Sequence, residues 1–251
     1  MRIIISPAKK MRVDTDSLPW RDLPVFLSET TEIYNTLREM SPEALKKLWK
    51  CNDDIAALNI ARLERMDLEG RLTPAILAYE GIQYQYMAPG VFSDQEFDYV
   101  QEHLRILSGF YGILKPFDGV TPYRLEMQAK LRMGKHKDLY SYWGDSLAQQ
   151  IYKESDTIIN LASKEYSLCV SKHLSKDVRF ITCVFGEEKN GQIIEKGTMC
   201  KMARGEMVRF MAENQIEDPE EIKRFERLDY RFDDTISDDK KFVFIKKATG
   251  G

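Results

Sequence analysis

The chain has 251 residues, 43% hydrophobic and 31% charged, with a formal net charge of −3. That composition excludes a disordered or fibrous chain, and the acidic balance excludes a uniformly basic nucleic-acid binder. The charge is uneven, however. His103 to Lys137 carries seven Lys/Arg against two acids, and Ala212 to Asp239 carries four against eleven. The first segment can form a positive face while the second keeps the molecule soluble.

In chain order, Arg2–Ile5 reads as a buried strand, stopped by Ser6-Pro7. Pro24–Met40 reads as a moderately amphipathic helix. Ser41 is a good N-cap with Pro42 at the first helical position, so a second helix runs to about Lys50. Asp53 or Asp54 caps a third helix reaching about Glu64. Together these two form a helical hairpin over 41–64. Ser93-Asp94-Gln95-Glu96 is a capping box. The helix it opens buries Phe97, Val100, Leu104 and Leu107, and Gly109 ends it in a left-handed cap. Asp145 starts another helix. Thr157–Leu161 and Val178–Phe185 read as strands. The turn Asn190-Gly191 pairs the second of these with a strand near Ile193–Cys200. Ala203–Asn214 and roughly Pro219–Arg227 read as helices, and Phe242–Lys246 as the last strand. The expected fold class is α+β: one domain over 1–251, a mixed sheet with surrounding helices.

Cys51, Cys169, Cys183 and Cys200 form no CxxC pair, so reduced thiols in a cytosolic protein are expected. No segment approaches transmembrane length, and the apolar run after Met1 is too short for a signal peptide. Nucleotide-cradle motifs, HExxH and GxSxG are absent, and His103, His136 and His173 lie far apart. No cofactor, no metal site and no catalytic motif is expected.

The remaining chemistry sits in four segments. Ser6-Pro7-Ala8-Lys9-Lys10 follows the first strand, where ligand contacts are common. Lys9 there suits phosphate or, if desolvated, a nucleophilic amine; a merely solvated lysine is the plain alternative. Asn160-Leu161-Ala162-Ser163 with Tyr166 forms a second strand-to-loop corner, in which Asn160 and Ser163 pin a turn and Tyr166 can stack. If the two strand ends lie side by side, Lys9 and Ser163 line one cleft. Lys201, Arg204 and Arg209 place cations near the start of a helix, where a bound anion would relieve the macrodipole. The glycine-punctuated stretch 93–127 offers Arg105, Lys115 and Arg124, interleaved with Ser108, Tyr111 and Tyr123, a pattern that suits a nucleic-acid backbone.

Taken together, Ile4-Ile5-Ser6-Pro7-Ala8-Lys9, His103-Leu104-Arg105, Leu107-Ser108-Gly109, Pro122-Tyr123-Arg124-Leu125-Glu126-Met127, Trp143-Gly144-Asp145, Asn160-Leu161-Ala162-Ser163 and Ala203-Arg204-Gly205 resemble the bacterial YaaA family of peroxide stress proteins. The resemblance runs from Met1 to near Lys246. It implies a cytoplasmic protein of the hydrogen peroxide response that limits unincorporated iron and so protects DNA. It also implies a positively charged cleft, a helix-hairpin-helix element and binding to double-stranded or branched DNA. Two segments compete for that element. Residues 41–64 have the helix lengths but lack glycines, whereas 93–115 have Gly109 and Gly112 but are cut short by Pro116.

The expectation is therefore a DNA-binding stress protein, monomeric and with no membrane contact. Its phosphate contacts are Lys9, Arg105, Lys115, Tyr123, Arg124, Lys201, Arg204 and Arg209, and Ser6, Ser108, Tyr111, Asn160, Ser163 and Tyr166 line the cleft. The rival is an enzyme acting on a nucleotide or nucleic-acid base in the same cleft, glycosylase/lyase-like, with Lys9 as its candidate nucleophile.

Overall fold

The computed structural model describes residues 1–189 and 191–246. Its strands are β1 (Arg2–Ile5), β2 (Lys10–Met11), β3 (Thr73–Pro74), β4 (Tyr79–Glu80), β5 (Leu104–Ser108), β6 (Gly112–Leu114), β7 (Gly119–Val120), β8 (Thr157–Leu161), β9 (Arg179–Lys189), β10 (Gln192–Ile194), β11 (Tyr230–Phe232) and β12 (Lys241–Lys246). Its α-helices are α1 (Leu27–Arg38), α2 (Pro42–Trp49), α3 (Asp53–Glu64), α4 (Ala75–Ala78), α5 (Ile82–Met87), α6 (Asp94–His103), α7 (Leu139–Trp143), α8 (Ser146–Tyr152), α9 (Lys164–Ser171) and α10 (Gly197–Glu213).

Eight strands make the main sheet, in the order β11-β12-β9-β8-β1-β5-β6, with β10 paired to β9. β12, β9, β8, β1 and β5 run parallel, and β6, β10 and β11 pair antiparallel. The expected mixed sheet is present, but its parallel core makes the architecture α/β rather than α+β. A parallel sheet is covered on both faces, so its strands read as continuous apolar runs. Ile3, Ile4 and Ile5 are all fully buried, as are Ile158, Ile159 and Leu161.

Several expectations change. The helix opened by the Ser93/Glu96 capping box stops at His103, and Leu104–Ser108 is a strand buried at every position. Leu104 and Leu107 continue the helical spacing only by coincidence, because a strand buried on both faces shows no alternation. Gly109 therefore caps no helix. Segment 93–127 holds one α-helix, α6, followed by strands, whereas α2 and α3 are consecutive helices. Ser41 Oγ caps α2, and Asn52, rather than an aspartate, caps α3. Lys50 between them takes the left-handed conformation with φ 47°. β10 ends at Ile194 and α10 begins at Gly197, so the strand expected through Cys200 is largely helix, and Lys201 and Arg204 lie beyond its first turn. Pro219–Arg224 is 3-10 helix. Asn190 of the expected Asn-Gly turn lies outside the described residues; Gly191 has φ +73°.

Candidate functional site

β1 lies between β5, reached by one excursion of the chain, and β8, reached by the next. The chain reverses its direction of sheet building at that point. In open α/β sheets ligands bind beyond the carboxyl ends of the strands at such a reversal. A cleft of about 410 Å³ sits there. The Ser6–Lys10 loop after β1 and the Ser163–Tyr166 segment after β8 form two of its walls. Residues 80–84, the Tyr123–Glu126 loop, and Lys201 with Arg204 on α10 supply the rest.

The walls are tied by specific bonds. Ser6 Oγ accepts from Ser163 N at 2.8 Å and donates to Ser163 Oγ at 3.2 Å, so one hydroxyl joins the ends of β1 and β8. Tyr84 Oη donates to Ser6 O at 3.0 Å. Below them, Tyr123 Oη lies 2.6 Å from Ser108 Oγ and 2.9 Å from Tyr79 Oη. Burial pushes the Tyr123 phenol up to about 12, so it is a fixed neutral hydrogen-bonding group. Behind the loop, a Cβ on Gly109 would meet Leu125 O at 2.8 Å, which is why this turn is glycine.

Five cations (Lys9, Lys10, Arg124, Lys201, Arg204) face three carboxylates (Glu80, Glu126, Glu165) around the cleft. Lys9 Nζ stands 3.0 Å and Arg124 Nη2 3.5 Å from Glu126 Oε1. Neither aligns as a hydrogen bond, so that buried oxygen has no hydrogen-bond partner among the described residues. Arg124 Nε and Arg204 Nε are likewise buried without an acceptor. A polar group left this way costs on the order of 1–3 kcal/mol, more when charged. Arg204 Nη2 lies 3.8 Å from Glu195. Glu165 Oε1 accepts from Gln128 N at 3.2 Å. Burial foremost, and the nearby charge of Glu126, raise its carboxyl above the ordinary range.

The structure thus brings Ser6, Lys9, Tyr123, Arg124, Ser163, Tyr166, Lys201 and Arg204 together. Other expected site residues sit elsewhere. Arg105 is 3% exposed and its guanidinium lies 2.6 Å from Glu154, which Arg2 also binds. With Lys115 it lines a second cavity of about 360 Å³ at the amino ends of the strands. Arg209 bonds Glu213 one turn along α10. Ser108 and Tyr111 are buried beneath the cleft; Ser108 Oγ accepts from Phe110 N and Tyr111 N, and Tyr111 Oη from Thr121 N. Asn160 pins the β8 turn by accepting from Ala162 N and donating to Thr182.

Sequence reasoning missed Lys10, Glu80, Gln83, Tyr84, Glu126 and Glu165 as cleft residues. Residues 80–84 belong to short elements with no periodicity to read. Glu126 stands inside the Pro122–Met127 motif and Glu165 beside Tyr166, but no spacing in the sequence marks the two as a pair.

Among the described residues no group of three or more His, Cys, Asp or Glu is placed to hold a metal ion, and no helix is long and apolar enough to cross a membrane.

The fold and cleft define an α/β protein with a polar site at the strand reversal. A family model described as "Peroxide stress protein YaaA" matches residues 1–236. A UPF0246 protein of Agathobacter rectalis is 59% identical over 247 residues, covering 98% of this chain and 99% of that protein. UPF0246 proteins of Lachnoclostridium phytofermentans and Desulfitobacterium hafniense are 54% and 56% identical, with 98% of this chain and 96% and 98% of theirs covered. The chain belongs to the peroxide stress protein YaaA family.

Proposed function

We propose that this protein binds DNA in the peroxide stress response by taking one nucleotide of a strand into the cleft beyond β1 and β8. The observation that carries this is the pair of cleft arginines, Arg124 and Arg204, each with a buried Nε that has no acceptor among the described residues. A phosphate offers several strong acceptors, and arginine's fork matches it. A cleft of about 410 Å³ is of ordinary small-ligand size and takes a nucleotide, not a duplex. Proteins that reach a nucleotide inside DNA extrude it or act on single strands. Lys9 and Lys10, both largely exposed, stand where the flanking backbone would run. The α2–α3 hairpin, with Lys47 and Lys50 beside its groove, offers an outer contact for duplex or branched DNA. Limiting unincorporated iron and shielding DNA from oxidative damage are the cellular roles that accompany this reading.

The test is fluorescence anisotropy of a labelled single-stranded 12-mer across a salt series. Affinity should fall with salt at a slope near −0.7 per phosphate neutralised. Arg124→Gln with Arg204→Gln should weaken binding tenfold or more and flatten the slope. A salt-independent affinity, or one unchanged by the double substitution, would overturn the proposal.

The rival with Lys9 as a Schiff-base nucleophile finds less support. Its side chain is 64% exposed and its Nζ is paired to Glu126, not desolvated as such an amine requires.

A further inference from the structure

Glu126 and Glu165 have no part in holding a phosphate, and like charges beside a phosphate site oppose binding. Both line the cleft, in different surroundings. Glu126 sits against two cations, Lys9 and Arg124, and its buried Oε1 has no hydrogen-bond partner among the described residues. Glu165 stands in the first turn of α9. It is faced by Lys9 from the β1 loop, Glu126 from the 123–126 loop, Tyr140 from α7, and Tyr166 and Cys169 from its own helix. Tyr140 Oη donates to Glu165 O at 2.8 Å, fixing the backbone from which the carboxyl projects. Burial beside a second carboxylate favours the protonated form of Glu165. Two carboxyl groups in different surroundings on the walls of one cleft can serve as an acid and a base.

We infer that the cleft hydrolyses the N-glycosidic bond of the nucleotide it takes in, with Glu165 as general acid and Glu126 as general base. This rests on the nucleotide-binding reading above. A carboxylic acid and a carboxylate flanking an anomeric carbon is the arrangement that cleaves glycosidic bonds through an oxocarbenium-like transition state. The C1′–N bond breaks, its electron pair goes to the base nitrogen, and that nitrogen takes the Glu165 proton. A water oxygen bonds to C1′, and its proton passes to Glu126. The products are a free base and a sugar phosphate. The two carboxyls then regain their starting states by exchanging one proton through solvent, so the cycle needs no oxidant, reductant or further reactant. The Glu126 carboxylate also faces the positive charge that develops on the sugar. The arginines hold the phosphate, and the buried phenols of Tyr84 and Tyr166 provide flat walls for a base.

The experiment incubates the whole protein with dAMP, dGMP, dCMP, TMP and 8-oxo-dGMP, and with the single-stranded 12-mer. Free base is measured by chromatography, abasic strand by alkaline cleavage, and affinity by calorimetry. Base release is expected from at least one probe. Glu165→Gln should slow it about 10²-fold or more while changing the Kd of that probe less than threefold. The wild-type rate should decline as pH rises through the Glu165 titration, and Glu165→Gln should remove that decline. Binding of probes with base release from none of them overturns the hydrolysis and leaves the binding reading standing. Absence of binding by every probe overturns both. Release unaffected by Glu165→Gln and Glu126→Gln overturns the assignment of these residues.

Discussion

Gly205 on α10 lies so close to Gln83 on α5 that a Cβ built on it would fall 2.2 Å from Gln83 O and 2.9 Å from Met87 N. No side chain fits there. The contact sets the distance between the helix carrying Lys201 and Arg204 and the segment carrying Gln83 and Tyr84, two facing walls of the cleft.

Gly205→Ala should therefore push the two helices apart. Overpacking of this kind costs about 1–3 kcal/mol. The melting temperature should drop by several degrees, and oligonucleotide affinity should fall with it, because Arg204 moves. Thermal unfolding followed by circular dichroism, with anisotropy on the folded variant, checks both.

Arg105 should behave in the opposite way. Its guanidinium is buried against Glu154, and removing one member of a buried pair costs about 3–5 kcal/mol when the other is left unpaired. Arg2 remains on Glu154 after Arg105→Ala, so the loss should fall toward the lower end of that range. Urea denaturation should show the destabilisation, while the folded variant keeps wild-type affinity for the 12-mer. A selective loss of affinity would return Arg105 to the binding site.

Asp118 predicts a pH dependence. It is 3% exposed, and burial pushes its carboxyl up to about 7, against the ordinary value of 3.8. The folded chain therefore holds this proton where the unfolded chain has released it. Its contribution to stability is complete below about pH 4 and declines as pH rises toward 7, by on the order of a few kcal/mol. Asp118→Asn keeps an acceptor for Lys115 N, which Asp118 Oδ2 bonds at 2.8 Å, and carries no charge. Its gain in melting temperature over wild type should be larger at pH 8 than at pH 5. An equal change at both pH values would contradict the assignment.

Much of the frame was legible because local chemistry announced it. Ser41 with Pro42 and the Ser93/Glu96 box carry their own capping bonds. Ile3-Ile4-Ile5 needed only its run of β-branched residues to read as a strand. The errors came where two periods coincide or where tertiary contacts choose. Leu104 and Leu107 fit a helix as well as a strand, and the pairing of Leu104 with Ile3 and of Ile106 with Ile5 in β1 places this segment in the sheet. The site was legible at Ser6, Lys9 and Ser163, since all three follow strands; the pairing of Ile4 with Asn160 makes those two strand ends one cleft. Arg105 shows what sequence lacks, because a cation in a basic segment looks alike whether it faces solvent or Glu154.

The central claim, that one nucleotide enters the cleft, is tested most directly by competition. Labelled single-stranded 12-mer bound to the protein is titrated with free dAMP. The account predicts full displacement, one dAMP bound per chain by calorimetry, and loss of that binding in the Arg124→Gln, Arg204→Gln variant. A 12-mer that stays bound at saturating dAMP would contradict it.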